Sequence, residues 1–304
     1  MLHDSICPRK YQCTLHAHPR LRHIRSMALT RHWQDLAWTD FAALPPDAVA
    51  VLPIAAIEQH GPHLPVSVDA TINAGILARA LELLPPDATI LALPMQSVGL
   101  SVEHIRFPGT LTLSAETLIA VLTETGRSVA RAGIKRLVIL NSHGGQPQVV
   151  DIVCRRLRGD GMFAVGCTAS RLGLPTVVTL SREEQQYGIH GGLVETSLML
   201  HLRPDLVRMD QAIDFRSAWL AQETTMTLLT PEGGVGFGWE TQDLHKLGAL
   251  GDASAATAEM GKAILEHQAA RLARLLEEVR RMDITAWLQP GPNGPAHDKP
   301  AAKA

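Results

Sequence analysis

Ala48-Val49-Ala50-Val51-Leu52-Pro53-Ile54-Ala55-Ala56-Ile57 is ten apolar residues in a row, and Glu58-Gln59-His60 follows at once. A run of this length, without polar alternation, predicts a strand over Ala48–Ala56 buried on both faces. Buried strands of that kind belong to parallel sheets covered by helices. The run is about half of the roughly 20 residues a bilayer span needs, so no membrane helix is expected.

The chain outward from this run alternates. Helical apolar spacing covers Thr71–Leu84 and stops at Pro85-Pro86. Thr89–Leu93 reads as a strand. Ser114 is placed to cap a helix that reaches Ala132, with Gly133 as its stop. Strands follow at Arg136–Leu140 and Phe163–Thr168, separated by a helix over Pro147–Arg158. Leu193–Leu202 is helical and ends before Pro204. A long alternation of Ala, Leu and charge, Ala253–Met282, closes the pattern. Strand–helix alternation predicts a single α/β domain, a mostly parallel sheet sandwiched between helices, over residues 29–286.

The ends differ from this middle. Residues 1–28 carry Arg9, Lys10, Arg20, Arg22 and Arg25 but no signal-peptide apolar stretch. They read as a disordered or non-native extension, with Met27 as an alternative start. Residues 287–304, rich in Pro, Gly, Ala and Lys, read as a disordered tail.

Composition narrows the function. The 304 residues hold 28 basic and 30 acidic side chains, a net charge of −2, which argues against a dedicated nucleic-acid binder. Cys7, Cys13, Cys154 and Cys167 show no paired spacing and read as free thiols of a cytoplasmic protein. Histidine, at 14, outnumbers the 12 aromatic residues, so the polar clusters carry the argument.

Two strands end in such clusters, and ligands of open α/β sheets bind beyond carboxyl strand ends. The first is Glu58-Gln59-His60-Gly61-Pro62-His63-Leu64-Pro65, with Asp69 following. In extended backbone Glu58 and His60 project to one side, and Asp69 can fold back from just before a helix. Carboxylate, imidazole and carboxylate suit Zn²⁺, Mn²⁺ or Fe²⁺. Each also has a plainer reading: Asp69 as a helix cap, Glu58 as an arginine partner, His63 as a turn residue. The second cluster is Asn141-Ser142-His143-Gly144-Gly145-Gln146, where the glycines admit close approach of a ligand to backbone. A third string, His190-Gly191-Gly192-Leu193-Val194-Glu195, sets a carboxylate among apolar neighbours, where it needs a cation, a partner or a proton. Gly233–Gly238 lacks the strand and the Lys-Ser/Thr of a nucleotide loop.

The first string with Asp69 resembles the signature of the creatininase (creatinine amidohydrolase) family. Four further segments agree in order: Ser101–His104 into Phe107-Pro108-Gly109-Thr110; Asn141–Gln146; His190–Leu200; and Gly236–Trp239 with Gln242-Asp243 and Gly248–Asp252. The resemblance runs from about Leu36 to Arg280. It implies a metal-dependent hydrolase of non-peptide or cyclic C–N bonds, assembled as a homo-oligomer, often a hexamer. It implies one or two ions per subunit, Zn²⁺ or Mn²⁺ with Fe²⁺ as a further option. Glu58, Asp69 and His143 match the ligands of one ion; His60 and Asp69 match those of the other, with Asp69 bridging. Creatininase has a glutamate where this chain has Gly145, so Glu195 is the candidate replacement ligand and a second catalytic candidate. His190 matches the proton-handling histidine. Glu103, His104, Gly144, Gly145 and Trp239 are expected around a small amide substrate, with Glu103 and His104 reading equally as a buried pair that holds their loop. Trp239 and Asp243 read equally as a pocket wall or a subunit contact. Gly188 and Ile189 replace a tryptophan and an aspartate of creatininase, which argues against creatinine itself. Related enzymes also act on formamido-pyrimidines and on a peptide trimmed in redox-cofactor maturation. A non-catalytic metal-binding member is the remaining alternative.

Overall fold

The apolar run forms strand β1, Val49–Ile54, in the computed structural model of the chain, which describes residues 31–289. The extension at residues 1–28 and most of the expected tail lie outside the described residues. β1 is followed by helix α1 (Val68–Leu83), strand β2 (Ile90–Ala92) and helix α2 (Ala115–Arg131). Strand β3 (Arg136–Asn141), helix α3 (Pro147–Gly159) and strand β4 (Phe163–Thr168) continue the alternation. The four strands are parallel, in the order β2-β1-β3-β4. Then come α4 (Arg182–Tyr187), α5 (Leu193–Leu202), β5 (Asp214–Phe215), α6 (Thr241–Leu244), β6 (Gly251–Asp252) and the long α7 (Ala258–Arg281). β5 and β6 form a separate antiparallel ribbon.

Alternation along β1 divides the core. Val49 and Val51 face one layer, packed with Ile72 and Ile76 of α1, Leu198 of α5, and Ile264 and Leu272 of α7. Ala50, Leu52 and Ile54 face the other, with Leu118 and Leu122 of α2 and Val153 and Leu157 of α3. The expected sandwich is therefore present, each fully buried aliphatic side chain contributing about 1.5–3 kcal/mol. Pro53 sits inside a central strand without disturbing it. Its carbonyl accepts from Gln96, so its nitrogen faces the side where β2 has already ended.

The largest departures from the expected boundaries are at two helix starts. α1 begins three residues early, at Val68, so Asp69 lies inside its first turn and is not a cap. Ser67 occupies the cap position, which leaves the Asp69 carboxylate free to point elsewhere. α7 begins at Ala258, where the Thr257 hydroxyl accepts from Met260 N, while Ala253–Ala255 is a separate 3-10 turn. Ser114 caps α2 as expected, accepting from Thr117 N, and Gly133 takes a φ of 92° beyond its end.

This topology positions the site. The chain leaves β1 toward β2 and returns on the other side as β3, so a crevice opens between the carboxyl ends of β1 and β3. Ile54 and Asn141 are register partners, and the Glu58–His60 and His143 loops thus leave the sheet side by side.

Candidate metal centre

Asn73 of α1 ties the crevice together. Its amide donates to Ile54 O and Leu140 O at 2.9 Å each, joining both strand ends to α1. Ser142 Oγ donates to Asp69 O at 2.9 Å, which fixes the first turn of α1 over the crevice. Asn141 and His143 lock their own loop, Asn141 Nδ2 donating to His143 O and His143 N to Asn141 Oδ1.

Glu58, His60, Asp69 and His143 converge there, each under 4% exposed. His60 Nδ1–H donates to the Glu58 carbonyl at 3.0 Å, which leaves Nε2 facing the cluster. That nitrogen lies 3.6 Å from Asp69 Oδ1, 3.8 Å from Glu195 Oε2 and 3.9 Å from Glu58 Oε1. His143 Nδ1 lies 3.2 Å from Glu58 Oε1 and 3.4 Å from Asp69 Oδ2. Asp69 therefore presents one oxygen to each histidine. Glu195, in the first turn of α5, completes the His60 side, its Oε2 also accepting from Gly191 N at 2.6 Å. Gly191, at a φ of 65°, allows that turn, and a Cβ there would come within 3.0 Å of His60 O.

The electrostatics follow from burial among carboxylates. Burial alone would lower the His60 pKa, but Asp69, Glu195 and Glu58 outweigh it and raise the value to about 9. His143 is likewise buried, and Glu58, Asp69 and Glu103 hold it well above the ordinary range. Burial would raise Asp69, yet the nearby His143 and His60 bring it down to about 2. Burial raises Glu195 to about 7, with His60 opposing and Asp69 adding to the rise. Excess negative charge is thus balanced here by imidazolium groups.

A divalent cation fits this donor set better than protons do. Glu58 Oε2, His60 Nε2 and Asp69 Oδ2 are buried without a hydrogen-bond partner. Leaving such atoms unpaired costs about 1–3 kcal/mol each, and more for ionised groups. Glu58 with His60 and Asp69, and His60 with His190 and Glu195, are groups whose ligand atoms lie within 4.8 Å of one another. Carboxylate and imidazole together suit Zn²⁺, Mn²⁺ or Fe²⁺.

His190 stacks between His60 and His104, both ring centroids at 4.1 Å. Its Nε2–H donates to Gln59 O at 2.6 Å, which turns Nδ1 toward Glu58 Oε1 at 3.7 Å. Burial and the flanking His60 and His104 hold its pKa well below the ordinary range, so the ring is neutral. His104 reaches the cluster itself and does not merely border a pocket: Nε2 lies 3.5 Å from Glu58 Oε1. Gln59 Nε2 lies 2.8 Å from His104 Nδ1 and donates to Gly248 O at 2.6 Å. Thr241 Oγ1 donates to Glu103 O at 3.1 Å.

His63 is a buried structural residue, its Nε2 against Gly191 O at 3.1 Å and Thr196 Oγ1 at 2.9 Å. Trp239 donates its indole N–H to Pro231 O, so its polar contact is with its own loop. Asp243 accepts from Glu240 N and caps α6. Gly144 and Gly145 are exposed, and the space above Gly144 is open. Cys154 and Cys167 are free, and burial pushes their thiols up to about 12 and about 11.

Glu184 is a contributor that sequence reasoning missed. Its carboxylate accepts from Leu193 N at the start of α5 and from Asp252 N of β6, both at 2.8 Å. Gly188, Gly192 and Gly251 leave the space it fills. It thereby anchors the segment that carries His190 and Glu195. The repeated glycines of that segment were the available signal.

The family described as "Creatininase: Creatinine amidohydrolase" matches residues 34–276. A mycofactocin precursor peptide peptidase of Mycobacterium tuberculosis (strain H37Rv) is 34% identical over 255 residues, 80% of this chain and 87% of that protein. A creatinine amidohydrolase of Pseudomonas putida is 32% identical over 198 residues, 59% of this chain and 75% of that one. A solved structure named "Creatininase Mn" superposes with a TM-score of 0.66 at 28% identity, covering 83% of this chain and 100% of that one. The chain belongs to the creatininase family.

Proposed function

We propose that the chain is a metal-dependent amidohydrolase that cleaves an amide C–N bond with water in the β1–β3 crevice. The observation that carries the reading is the convergence of three buried, unpartnered ligand atoms, Glu58 Oε2, His60 Nε2 and Asp69 Oδ2. Glu58, Asp69 and His143 would hold one ion, and His60, Asp69 and Glu195 a second. When bound, such ions polarise the amide carbonyl and lower the pKa of a water. The similarity to the structure named "Creatininase Mn" supports Mn²⁺ as one occupant.

His190 handles the proton. Its neutral ring, with Nε2–H committed to Gln59 O, offers Nδ1 as the base that takes a proton from the attacking water. The same Nδ1–H then protonates the departing nitrogen, which leaves poorly as an anion. Glu195, at about 7, can hold either a proton or a share of a cation. Gly144, exposed beside His143 with open space above it, leaves room for substrate.

The substrate is a small amide or a peptide. The restriction to non-peptide bonds expected from the sequence is withdrawn, because the Mycobacterium tuberculosis relative, 34% identical over 80% of the chain, is named a peptide peptidase. A homo-oligomer in the cytoplasm is part of the same proposal. No described helix is long and apolar enough to cross a membrane. The test is a hydrolysis screen of cyclic amides, formamides and short peptides with Mn²⁺- or Zn²⁺-loaded protein. Turnover of one class, lost on Glu58→Gln, is the expected result. Activity that survives complete metal removal would overturn the proposal.

A further inference from the structure

His143 has two faces. Nδ1 points at Glu58 and Asp69, at 3.2 and 3.4 Å. Across the ring, Nε2 lies 2.9 Å from Leu100 O and 3.2 Å from Glu103 Oε1. A carbonyl and a carboxylate only accept, so Nε2 carries a hydrogen, and Nδ1, facing Glu58 and Asp69, is the nitrogen that would give up its proton to an ion. Glu103 thus meets the imidazole at Nε2, the nitrogen other than the one that faces Asp69, and one of its oxygens also lies within 4.8 Å of a Glu58 oxygen.

The placement of that carboxylate is built. Glu103 stands in the 3-10 turn Val102–His104, and its side chain is 14% exposed. Leu100 N donates to Gln146 Oε1 and Ser101 N to Thr112 Oγ1 just before the turn, and Thr241 Oγ1 donates to Glu103 O. Gly145 completes the arrangement. A Cβ there would overlap Glu103 Oε1 and come within 2.6 Å of His143 Nε2. The carboxylate fills the space that a side chain at position 145 would occupy.

We propose that Glu103 is a positioning residue that holds His143 with Nδ1 toward the ion, and that position 145 is glycine because Glu103 needs its side-chain space. This rests on the metal-dependent reading above. A ligand histidine whose outer N–H is held by a carboxylate is fixed in tautomer and rotation, and loss of the outer partner typically weakens metal affinity 10–100-fold. The contact lies between two side-chain positions 42 residues apart, Glu103 and Gly145, and either change breaks it.

The experiment measures Mn²⁺ and Zn²⁺ dissociation constants by chelator competition on the full chain, with the variants E103Q, E103A, G145A and E103A/G145A. E103A and G145A should each weaken binding about 10–100-fold. E103Q should lose less, because its amide oxygen still accepts from Nε2–H. The double variant should be no weaker than the poorer single one, since both act through one contact. Ring-nitrogen NMR should show the Nε2–H resonance of His143 altered in E103A and preserved in E103Q. E103A with wild-type affinity, or losses from E103A and G145A that add in full, would overturn the inference. If E103A folds poorly, E103Q and G145A give the same decision. Wild-type protein that binds neither ion would bring down the metal reading and this one together. Wild-type binding with an unmoved E103A breaks only this one.

Discussion

His60 and His63 sit three residues apart in one loop, both fully buried, yet their surroundings drive them in opposite directions. His60 faces Asp69, Glu195 and Glu58, which overcome burial and bring it to about 9. His63 faces a carbonyl and a hydroxyl and stacks on Phe215 at 5.1 Å, so burial brings it to about 4. Burial alone therefore does not mark a functional histidine. The mark is convergence of carboxylates on a nitrogen that has no hydrogen-bond partner of its own.

The comparison breaks first at its carboxylate side. Glu58→Gln and His143→Ala should each lose bound metal, and turnover should fall at least about a thousandfold, as expected where an ion supplies several kcal/mol to the transition state. Metal content by elemental analysis and hydrolysis rate measure both. Loss of activity with full metal content would place these residues in another role. His190→Ala tests the neutral member of the stack. It should keep its metal and lose about 10²–10⁴ in rate, the usual worth of positioned proton transfer. Persistence of turnover would assign the proton to another group.

The charge balance sharpens the comparison next. His60, at about 9, and His143, held well above the ordinary range, are protonated near pH 7 in the metal-free protein. Metal must displace those protons. Calorimetric titration at pH 7 in buffers of different ionisation enthalpy should therefore show net proton release on binding, and affinity should fall as pH is lowered. Binding without proton release would contradict the balance described.

The smallest effect belongs to His63. Its folded pKa of about 4 lies below the ordinary histidine value of 6.5, so the unfolded chain takes up the proton first as pH falls. Its contribution to stability is complete above pH 6.5 and is lost progressively toward pH 4. Wild type should lose melting temperature faster over that window than His63→Gln does. Parallel melting curves would show that His63 is not held neutral.

Much of this was legible where chemistry is local. The run of β1 and the Leu137–Leu140 centre of β3 are apolar because both faces of the sheet are covered, and α5 falls on its expected bounds because Gly191-Gly192 and Pro204 punctuate it. Glu58, His60 and Asp69 share a short segment, so their convergence was readable from spacing. Asp69 reads as preceding its helix because Pro65 suggests a later start, yet Val68 already begins the turn. The contacts that close over long stretches of chain were not readable. Asn73 reads as an ordinary helix residue until β3 is brought beside β1, and Glu184 reads as a surface acid until β6 returns to it. His104 is expected at a pocket wall, but Thr241, 137 residues on, and Gln59 draw its ring against Glu58.

The central claim is that the β1–β3 crevice holds a catalytic divalent ion. Its most direct test is to strip the protein of metal, restore Mn²⁺ or Zn²⁺ in steps, and follow bound equivalents and amide hydrolysis together in wild type and Glu58→Gln. The account predicts that wild type binds one to two equivalents with activity rising in proportion, and that Glu58→Gln regains neither. Full hydrolysis by the stripped wild-type protein would contradict it.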